Sequence, residues 1–373
     1  MCHACNTITS DPANTDEMAG QFAEKMVDTL NQAGLGIMIS VGHRTGLFDA
    51  MQGMGWTDSH QLAQKANLQE RYVREWLGAM ATGHVVQVDG SGDSDRYHLP
   101  DAHAMILARS GEGMASVFQW IEVMTKVEGK VVDAFKHGGG VPYEAYDRFH
   151  EVMAEESSVS VVGGLMEHIL PLVDDLKEKL EAGIKVLDIG CGSGLAMCTL
   201  AKTFPNSEFM GLDLCQPAID AARQTAQNMR LTNIRFDARD VTTLDLEDHF
   251  DLVTAFDVIH DQRDPAGVLA MVRRVLVADG TFLMQDLRCN SRPSQNVDHP
   301  LCPFFYTIST MHCMTVSLAQ GGAGLGAAWG EQLALEMLNE AGFQGITVNT
   351  LPHDIQNNWY VMHKPAGVLE MVG

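Results

Sequence analysis

The stretch Lys185-Val-Leu-Asp-Ile-Gly-Cys-Gly-Ser-Gly-Leu195 is a short apolar run that ends in an acid and three glycines, and helix-forming residues follow it. This order predicts a strand, a tight turn and a helix. Glycine suits such a turn because it adopts backbone angles that other residues avoid, and because a ligand can approach its main chain without meeting a Cβ. We therefore expect Gly190, Gly192 and Gly194 to form a cofactor-binding turn.

The spacing of these glycines separates two classes of cofactor. A dinucleotide fingerprint reads G-x-G-x-x-G and places the pyrophosphate at a helix N-terminus. Here the third glycine comes one residue early, and Leu195 stands where the dinucleotide pattern has glycine. Asp188 also precedes the first glycine by two residues, and its charge would repel a pyrophosphate but attract a cation. The pattern therefore favours a ligand that carries a positive charge.

Further strands are predicted on the C-terminal side of the turn. The run from Glu208 to Asp213 ends in an acid about 20 residues after the glycines, where folds of this kind bind a ribose diol. Two more strands are predicted to begin at Ile234 and at Phe250, and a further strand is predicted to end at Asp286. The last two predicted strands cover residues 345–350 and 358–363. Because helical segments separate most of these runs, the sequence predicts an α/β domain over residues 181–373.

The N-terminal part of the chain is predicted to be mostly helical. Residues 1–18 are polar, and we expect a disordered leader there. Between Gln21 and Ala50 the apolar residues recur at helical spacing but are interrupted by Gly34 and Gly36. This pattern predicts two helices joined by a hinge.

Residues 19–108 have the organisation of a winged-helix domain, with two helices and a hairpin between Thr57 and Leu99. Such domains can read DNA through the second helix, which here mixes two arginines with two glutamates, while the hairpin turn is acidic. Because phosphate binding needs clustered lysine and arginine, DNA binding is disfavoured. We predict a dimerisation domain and a homodimer.

Charge and cysteine content restrict the partners and the compartment. The chain of 373 residues has a formal net charge of -23, which argues against nucleic acid and anionic membranes as partners. Its eight cysteines lack the dense spacing of a disulfide scaffold, so we expect a reducing cytoplasm. Cys2 and Cys5 have metal-ligand spacing, but no second pair follows, and no metal site is predicted there. No apolar run is long enough to predict a membrane span.

Two segments are candidates for the acceptor site. Residues 109–180 predict a helical linker or lid whose aromatic residues would roof a pocket. Residues 287–328 interrupt the alternation of strand and helix and are rich in Met, Cys and aromatic residues, a composition typical of pocket lining or oligomer contact. The candidate substrate-binding residues in and beside these segments are His150, Tyr306, Met311, His312, Met314 and Trp329.

The D-x-G-x-G-x-G pattern at 188–194 resembles motif I of the class I S-adenosylmethionine (SAM) methyltransferases. The order of domains is similar to members of that class that carry an N-terminal winged helix. Within them, the segments Phe256–Gln262, Ser309–Gly326 and Trp329–Glu331 most resemble the Rv2258c-like bacterial proteins. The resemblance implies a Rossmann-like, seven-stranded catalytic domain, SAM as methyl donor and S-adenosylhomocysteine as product.

The resemblance also implies where SAM binds. Asp188 and the three glycines would hold the methionine moiety, Asp213 the ribose, and the Asp240-Val241 pair the adenine. The complete set of implied cofactor-binding residues is Asp188, Gly190, Cys191, Gly192, Gly194, Asp213, Leu214, Asp240, Val241 and Phe256.

In winged-helix O-methyltransferases a His-Asp pair after the fourth strand supplies the general base, and His260 and Asp261 take that place here. A near-neutral imidazole can accept a hydroxyl proton while the oxygen attacks the methyl group. The family pattern continues with Trp where this chain has Gln262, so a cofactor-positioning or capping role for His260 stays open. A thiol acceptor would need little help from a base. The sequence thus predicts methyl transfer to oxygen or sulfur of a small, largely apolar acceptor.

Other functions and a metal requirement are weighed against this prediction. A catalytically inactive SAM-binding scaffold and a ligand-responsive regulator both stay open. No acidic or histidine cluster at ligand spacing indicates a catalytic metal, although Asp257, Asp261 and Asp286 leave an opening for Mg²⁺. We therefore expect no metal.

Overall fold

The computed structural model describes residues 12–111 and 113–366. Cys2 and Cys5, and the first eleven residues of the predicted leader, lie outside this range. The chain divides into two compact units, residues 1–121 and 122–373. In the part of the chain that the structure describes, every helix is too short or too polar to span a membrane.

The helices are short apart from the first. In chain order they are α1 (Pro12–Thr45), α2 (Leu47–Met51), α3 (Ser59–Ala66), α4 (Glu70–Thr82), α5 (Asp101–Leu107), α6 (Trp120–Thr125), α7 (Glu128–His137), α8 (Phe149–Ser157), α9 (Leu176–Ala182), α10 (Leu195–Thr203), α11 (Gln216–Asn228), α12 (Pro265–Val275), α13 (Cys302–Ile308), α14 (Met314–Ala319) and α15 (Gly330–Glu340). Short π-helical stretches at 158–162, 165–169 and 309–313 continue or join some of them.

Helices α3 and α4 with one hairpin form the predicted winged helix. The Asp58 side chain accepts a hydrogen bond from the Gln61 backbone N–H and the Gln61 side chain bonds back to Asp58, a reciprocal cap that starts α3. Trp76 and Leu77 of α4 are fully buried in the core of this unit. The hairpin strands β1 (Gln87–Asp89) and β2 (Arg96–His98) pair antiparallel.

The first helix corrects two predictions. Helix α1 starts at Pro12, so residues 12–18 are helical rather than disordered, and it passes through Gly34 and Gly36 without a hinge. A Cβ on Gly36 would lie 2.8 Å from Ile121 Cδ1. This glycine therefore allows close packing against the helix and does not break it. The turn comes at Gly46, which has φ +72°.

The second unit contains the predicted seven-stranded sheet. Its strands are β3 (Lys185–Ile189), β4 (Glu208–Asp213), β5 (Ile234–Ala238), β6 (Phe250–Phe256), β7 (Leu276–Leu287), β8 (Gln344–Leu351) and β9 (Asp354–His363). The order across the sheet is β5-β4-β3-β6-β7-β9-β8. The first five strands in this order pair parallel with one another, whereas β9 pairs antiparallel with both β7 and β8. The predicted α/β, Rossmann-like class is confirmed.

The sheet topology positions the site. The chain leaves β3 in one direction to β4 and β5, and returns to the other side of β3 with β6 and β7. In open α/β sheets, ligands bind outside the carboxyl ends of the strands where the order reverses in this way. The ends of β3, β4, β6 and β7 therefore bring the glycine-rich turn, Asp213, Asp257 and Asp286 to one edge.

Candidate active site

Each of the three glycines of the turn after β3 has a positive φ, and they differ in what surrounds them. A Cβ on Gly190 would lie 2.4 Å from Val258 Cγ2, and one on Gly194 would lie 2.6 Å from the Phe236 ring. These two glycines are therefore required by packing. Gly192 has φ +51° and nothing within 4 Å of the position that a Cβ would take. Its open side is the cradle expected for a cofactor.

Asp213, at the end of β4, is joined directly to this turn. One oxygen of its carboxylate accepts a hydrogen bond from the Gly192 backbone N–H at 2.9 Å, and the other accepts from the Cys215 backbone N–H at 2.8 Å. Its side chain is half-buried. The two backbone bonds fix the carboxylate, and its remaining lone pairs can receive the hydroxyls of a diol.

The buried acid of β3 lies beneath the turn. Asp188 is 4% exposed and accepts a hydrogen bond from Thr254 Oγ1 at 2.6 Å. Burial raises its pKa to about 7, against the lowering effect of that hydrogen bond. A carboxyl group short of compensating charge attracts a cation, as the sequence predicts for this position.

The other predicted cofactor residues lie around the same edge. Asp240 is exposed and caps a short 3₁₀ turn by accepting from the Thr242 backbone N–H, while the Val241 side chain is in the core. Leu214 is 52% exposed. Phe256, at the end of β6, packs against the Trp359 ring with centroids 5.5 Å apart. Burial raises the pKa of the Cys191 thiol well above its usual range, so that residue is a neutral part of the turn.

His260 pairs with an acid that is distant in sequence. Its Nδ1 lies 2.8 Å from Asp286 Oδ1, and both side chains are almost fully buried. Burial alone lowers the pKa of an imidazole, but the Asp286 carboxylate and the Cys313 thiol outweigh it, so the pKa of His260 is raised well above its usual value. This arrangement orients the ring through Nδ1, and the Cys313 thiol also forms a hydrogen bond with the imidazole.

Asp261, predicted as the catalytic partner of His260, has a different contact. Its Oδ2 accepts a hydrogen bond from Tyr143 Oη at 2.5 Å. Burial raises the pKa of Asp261 to about 6, against the lowering effects of His260 and Tyr143. His260 and Asp261 are adjacent in sequence, but their side chains contact different residues. Asp261 bonds to Tyr143 of the linker segment, whereas His260 pairs with Asp286.

Asp257 completes a group of three possible metal ligands. Asp257, His260 and Asp286 each place a ligand atom within 4.8 Å of the others. Nδ1 of His260 and Oδ1 of Asp286 already share a proton, which a cation would have to displace. Asp257 has a strained φ of +60°, and burial raises its pKa to about 8, so it carries a proton near neutral pH. We interpret the group as proton-transfer machinery, and the absence of a metal requirement stays a prediction.

An aromatic enclosure surrounds His312, in the π-helical stretch 309–313. The Phe149 ring stacks on the imidazole at 4.0 Å with an interplanar angle of 9°. Tyr146 and Tyr143 contact it edge-on, with centroids 4.7 and 5.3 Å away. Tyr146 Oη also donates a hydrogen bond to the Met311 carbonyl at 2.6 Å. The linker and the insertion therefore meet at His312.

The other predicted substrate residues divide into two groups. His150 stacks with Tyr143 and is close enough to Asp213 for that carboxylate to act on its pKa, which burial lowers. Tyr306 packs on a small apolar cluster that contains Cys313. Met314 is half-buried next to Gly326. Trp329 is 4% exposed and lies in the main core cluster with Ile259, separate from the rings that contact His312.

Sequence reasoning missed the roles of Tyr143 and Asp286. Asp286 was considered only as a metal ligand, although its position at the end of a predicted strand beside β6 was a usable signal. Tyr143 lies in the predicted roof of aromatic residues, but nothing in the sequence indicated a bond to Asp261. Both depend on contacts between residues more than 25 positions apart.

Comparisons with known proteins identify the two domains. Residues 33–109 match the model of the Rv2258c-like winged HTH domain, and residues 180–342 match that of a methyltransferase domain. The chain is 23% identical over 314 residues to the methyltransferase ungE' of Aspergillus campestris, covering 79% of this chain and 83% of that relative.

Solved structures show the same fold. A crystal structure of a putative O-methyltransferase from Nostoc punctiforme superposes with a TM-score of 0.69 at 21% identity, covering 91% of this chain and 98% of that one. Human N-acetylserotonin methyltransferase in complex with SAM superposes with a TM-score of 0.65 at 15% identity, covering 96% and 99%.

Fold, glycine turn and domain matches together define a class I SAM-dependent methyltransferase, and SAM is its cofactor. Within that class, the chain is one of the methyltransferases that carry an Rv2258c-like winged-helix domain before the catalytic domain.

The open side of Gly192 gives a prediction with a matched control. We expect Gly192→Ala to weaken SAM binding by about 10- to 100-fold, because a Cβ would project into the space left for the cofactor. Gly53→Ala, in the first unit, is the control, since Gly53 has φ +66° and equally open surroundings. Both variants should lose a similar amount of thermal stability, whereas only Gly192→Ala should lose affinity in calorimetry. Equal affinities for the two variants would refute a cradle at Gly192.

Proposed function

We propose that the protein transfers the methyl group of SAM to the hydroxyl oxygen of a small, largely apolar acceptor, with His260 as general base. The observation that carries this proposal is the buried His260–Asp286 pair at the cofactor edge of the sheet. A hydroxyl needs a base to give up its proton as it attacks, whereas a thiol is partly ionised near neutral pH. An oriented and buried imidazole therefore favours oxygen over sulfur as the acceptor atom.

The cofactor assignments extend the proposal to the glycine turn. Asp188 and the turn would hold the methionine end, Asp213 the ribose hydroxyls, and Asp240 and Val241 the adenine. Support comes from the open side of Gly192, from the fixed carboxylate of Asp213 and from the buried acid at Asp188. The sulfonium and ammonium charges of SAM suit an edge of the sheet lined by these acids.

The reaction is an in-line displacement at the methyl carbon. The acceptor oxygen forms a bond to carbon as the carbon–sulfur bond breaks, S-adenosylhomocysteine leaves, and the hydroxyl proton passes to His260 Nε2. Asp286 stabilises the imidazolium that results. The remaining contribution is to hold donor and acceptor in line and to exclude water, which the enclosure formed by the buried Tyr146 and the half-buried Tyr143 and Phe149 favours.

The test is a turnover assay with methyl-labelled SAM and two panels, one of phenols and alcohols and one of small thiols including sulfide. Labelled methyl ethers and a matching release of S-adenosylhomocysteine, unchanged by a chelator, are expected from the first panel. Turnover restricted to thiols would refute oxygen transfer. Tight SAM binding without turnover on either panel would favour a SAM-binding scaffold, and DNA binding would favour a regulator.

The pH dependence of the reaction follows from the titratable groups around His260, which include Asp286, Asp257, Asp261, Cys313 and His312. Because its pKa is raised, His260 is protonated at low pH and cannot accept a proton, so kcat/KM with an aliphatic alcohol should rise with pH through a value above neutrality. In Asp286→Asn the carboxylate that retains the proton is lost, and the rising limb should move to lower pH while the plateau falls. Asp257→Asn is the control for the other group that could produce this limb, because the pKa of Asp257 is about 8. If the rising limb of the pH profile does not move in Asp286→Asn, the assignment of His260 as general base is contradicted.

We propose further that the protein is a cytoplasmic homodimer that pairs through the first unit. Helix α1 is exposed from Asn14 to Gly34, and it carries a stripe of exposed apolar side chains at Met18, Phe22, Met26, Leu30, Ile37 and Val41. An isolated helix with such a face is unstable in water, and a second copy of the stripe would cover it. The scattered spacing of the eight cysteines supports a reducing compartment.

Leu30→Asp tests this assembly, since Leu30 is 73% exposed in the stripe. A charge buried between two helices is costly, so we expect a monomer by analytical ultracentrifugation at micromolar concentration. Gln32→Asp adds the same charge away from the stripe and should leave the dimer intact. A wild-type monomer, or a dimer that tolerates Leu30→Asp, would contradict pairing through α1.

A further inference from the structure

One ring nitrogen of a buried imidazole at the centre of the site has no hydrogen-bond partner among the described residues. His312 is 2% exposed, and its Nε2 makes no hydrogen bond to any of the described residues. Burial lowers its pKa to about 3, with further lowering from His260 and His150, so the ring is neutral. Leaving a buried ring nitrogen unpaired is destabilising, and natural structures keep few such groups outside functional sites.

The surrounding side chains hold the ring but do not bond to Nε2. Phe149 stacks on one face of the ring. The hydroxyls of the two tyrosines that contact its edge already donate hydrogen bonds to other acceptors. Tyr143 donates to Asp261, and Tyr146 donates to the Met311 carbonyl. The enclosure thus fixes the orientation of an unpaired polar atom, which is how a recognition group is preorganised.

His312 also lies beside the reacting centre. It precedes Cys313, whose buried thiol interacts with His260, and its own pKa is affected by His260 on one side and by His150 on the other. His150 in turn is influenced by Asp213, the residue assigned to the ribose. A molecule placed between SAM and His260 would therefore have His312 within reach.

The charges around the enclosure limit what can bind there. The groups that act most strongly on Tyr143, His260 and His312 are aspartates, histidines and Cys313, and no lysine or arginine of the described residues is among them. An anionic acceptor would meet several carboxylates without a lysine or arginine to compensate them. An uncharged acceptor avoids that cost.

We propose that His312 is the specificity-determining residue for an uncharged, bifunctional acceptor: Nε2 forms a hydrogen bond with a second neutral oxygen, a carbonyl or hydroxyl, of the molecule whose first hydroxyl is methylated. The proposal rests on the proposed oxygen transfer, and it names the class of acceptor. A site built to bond a polar group discriminates strongly against analogues that lack it, because the buried atom is then left unpaired.

The test compares hydroxyacetophenones with ethylphenols of the same substitution, in the ortho, meta and para series, and with 4-hydroxybenzoate as the anionic member. Variants are His312→Phe, which keeps the stack on Phe149 but removes the nitrogen, and His312→Gln, which returns an amide N–H. His168→Phe, a half-buried histidine that stacks on His353, is the control. For each protein, kcat/KM for each acceptor is measured in the presence of SAM. The affinity for each acceptor is measured separately, with the full-length enzyme loaded with S-adenosylhomocysteine.

Wild type should prefer at least one hydroxyacetophenone over its ethylphenol by about 10-fold, and should bind the anionic member at least about 10-fold more weakly. His312→Phe should abolish the preference while changing ethylphenol turnover by less than about 2-fold, His312→Gln should restore part of it, and His168→Phe should retain all of it. Equal losses for both acceptors in His312→Phe, or no preference in the wild type, would overturn the proposal.

Affinity separates this proposal from the proposed reaction. If no acceptor is methylated but hydroxyacetophenone binding still depends on His312, oxygen transfer is refuted and the recognition role stands. If methylation proceeds with no dependence on His312, the recognition role is refuted and the reaction stands. Failure of every hydroxyacetophenone to bind wild type also overturns the recognition role.

Discussion

Replacement of His260 by glutamine is expected to lower kcat for a hydroxyl acceptor by about 10²- to 10⁴-fold at neutral pH. The glutamine amide can still donate to Asp286, so the buried carboxylate keeps a partner, but it cannot accept a proton. Affinity for SAM should change by less than about 2-fold, because this ring pairs with Asp286, whereas the Asp213 carboxylate is held by the backbone of Gly192 and Cys215. Steady-state kinetics with product detection and calorimetry with SAM measure the two quantities.

His249→Gln is the control for this substitution. His249 is a half-buried histidine of the same unit that packs against Phe250 at the start of β6, the opposite end of the strand from the site. Its replacement should leave kcat unchanged. Full activity of His260→Gln with alcohols would show that the acceptor is deprotonated by another group, whereas retained activity restricted to thiols would point to sulfur as the acceptor atom.

Removal of the Asp213 carboxylate should have the largest effect on the cofactor. We expect Asp213→Ala to raise the Kd for SAM by about 10²-fold or more, because hydrogen bonds to a charged group contribute about 1.5–3 kcal/mol each and the ribose offers two hydroxyls. The substitution also releases the backbone N–H groups of Gly192 and Cys215. Calorimetry with SAM and with S-adenosylhomocysteine should show equal losses, since both carry the same ribose.

Asp213→Asn and Asp237→Ala separate the causes. The asparagine retains one oxygen acceptor and should lose less affinity than alanine. Asp237 lies on the neighbouring strand β5 and forms an ion pair with Arg223 at 3.5 Å, so its loss removes a negative charge without touching the turn. A Kd for Asp213→Ala within about 3-fold of wild type would rule out the ribose assignment.

The sheet was predictable because its signals are local. Each strand from Lys185 to Phe256 is a short apolar run bounded by a turn or an acid, and a parallel strand buried on both faces requires that pattern. The glycine turn was predictable for the same reason, since its backbone angles favour only one residue type. Local physics therefore determined the strands and the glycine turn.

The hinge predicted at Gly34 and Gly36 fails because glycine has two uses. In α1, Gly36 allows Ile121 and Phe118 to approach the helix closely, and tertiary packing outweighs its low helix propensity. Nothing in the sequence separates a glycine that ends a helix from one that admits a neighbour. The contact that decides between them is with residues about 80 positions away.

The partner of His260 was not predictable, for a different reason. His260 and Asp261 are adjacent in sequence, but the register of β6 on β7 pairs Phe256 with Gln285 and so brings Asp286 alongside the residues that follow β6. Which acid faces the imidazole therefore depends on strand pairing, which the sequence pattern did not resolve. The enclosure around His312 depends in the same way on the meeting of linker and insertion.

Gly140 marks that meeting point, and a Cβ there would lie 1.9 Å from the Thr315 carbonyl oxygen. The next residue, Val141, donates its backbone N–H to the Thr315 carbonyl at 3.2 Å and to the Thr315 side-chain hydroxyl at 3.0 Å. Linker and insertion are thus fastened main chain to main chain, independently of the side chains that face the acceptor. Natural variation can exchange those side chains and so change the acceptor while the scaffold is retained. Among relatives, position 140 should accordingly remain glycine even where the enclosure has diverged.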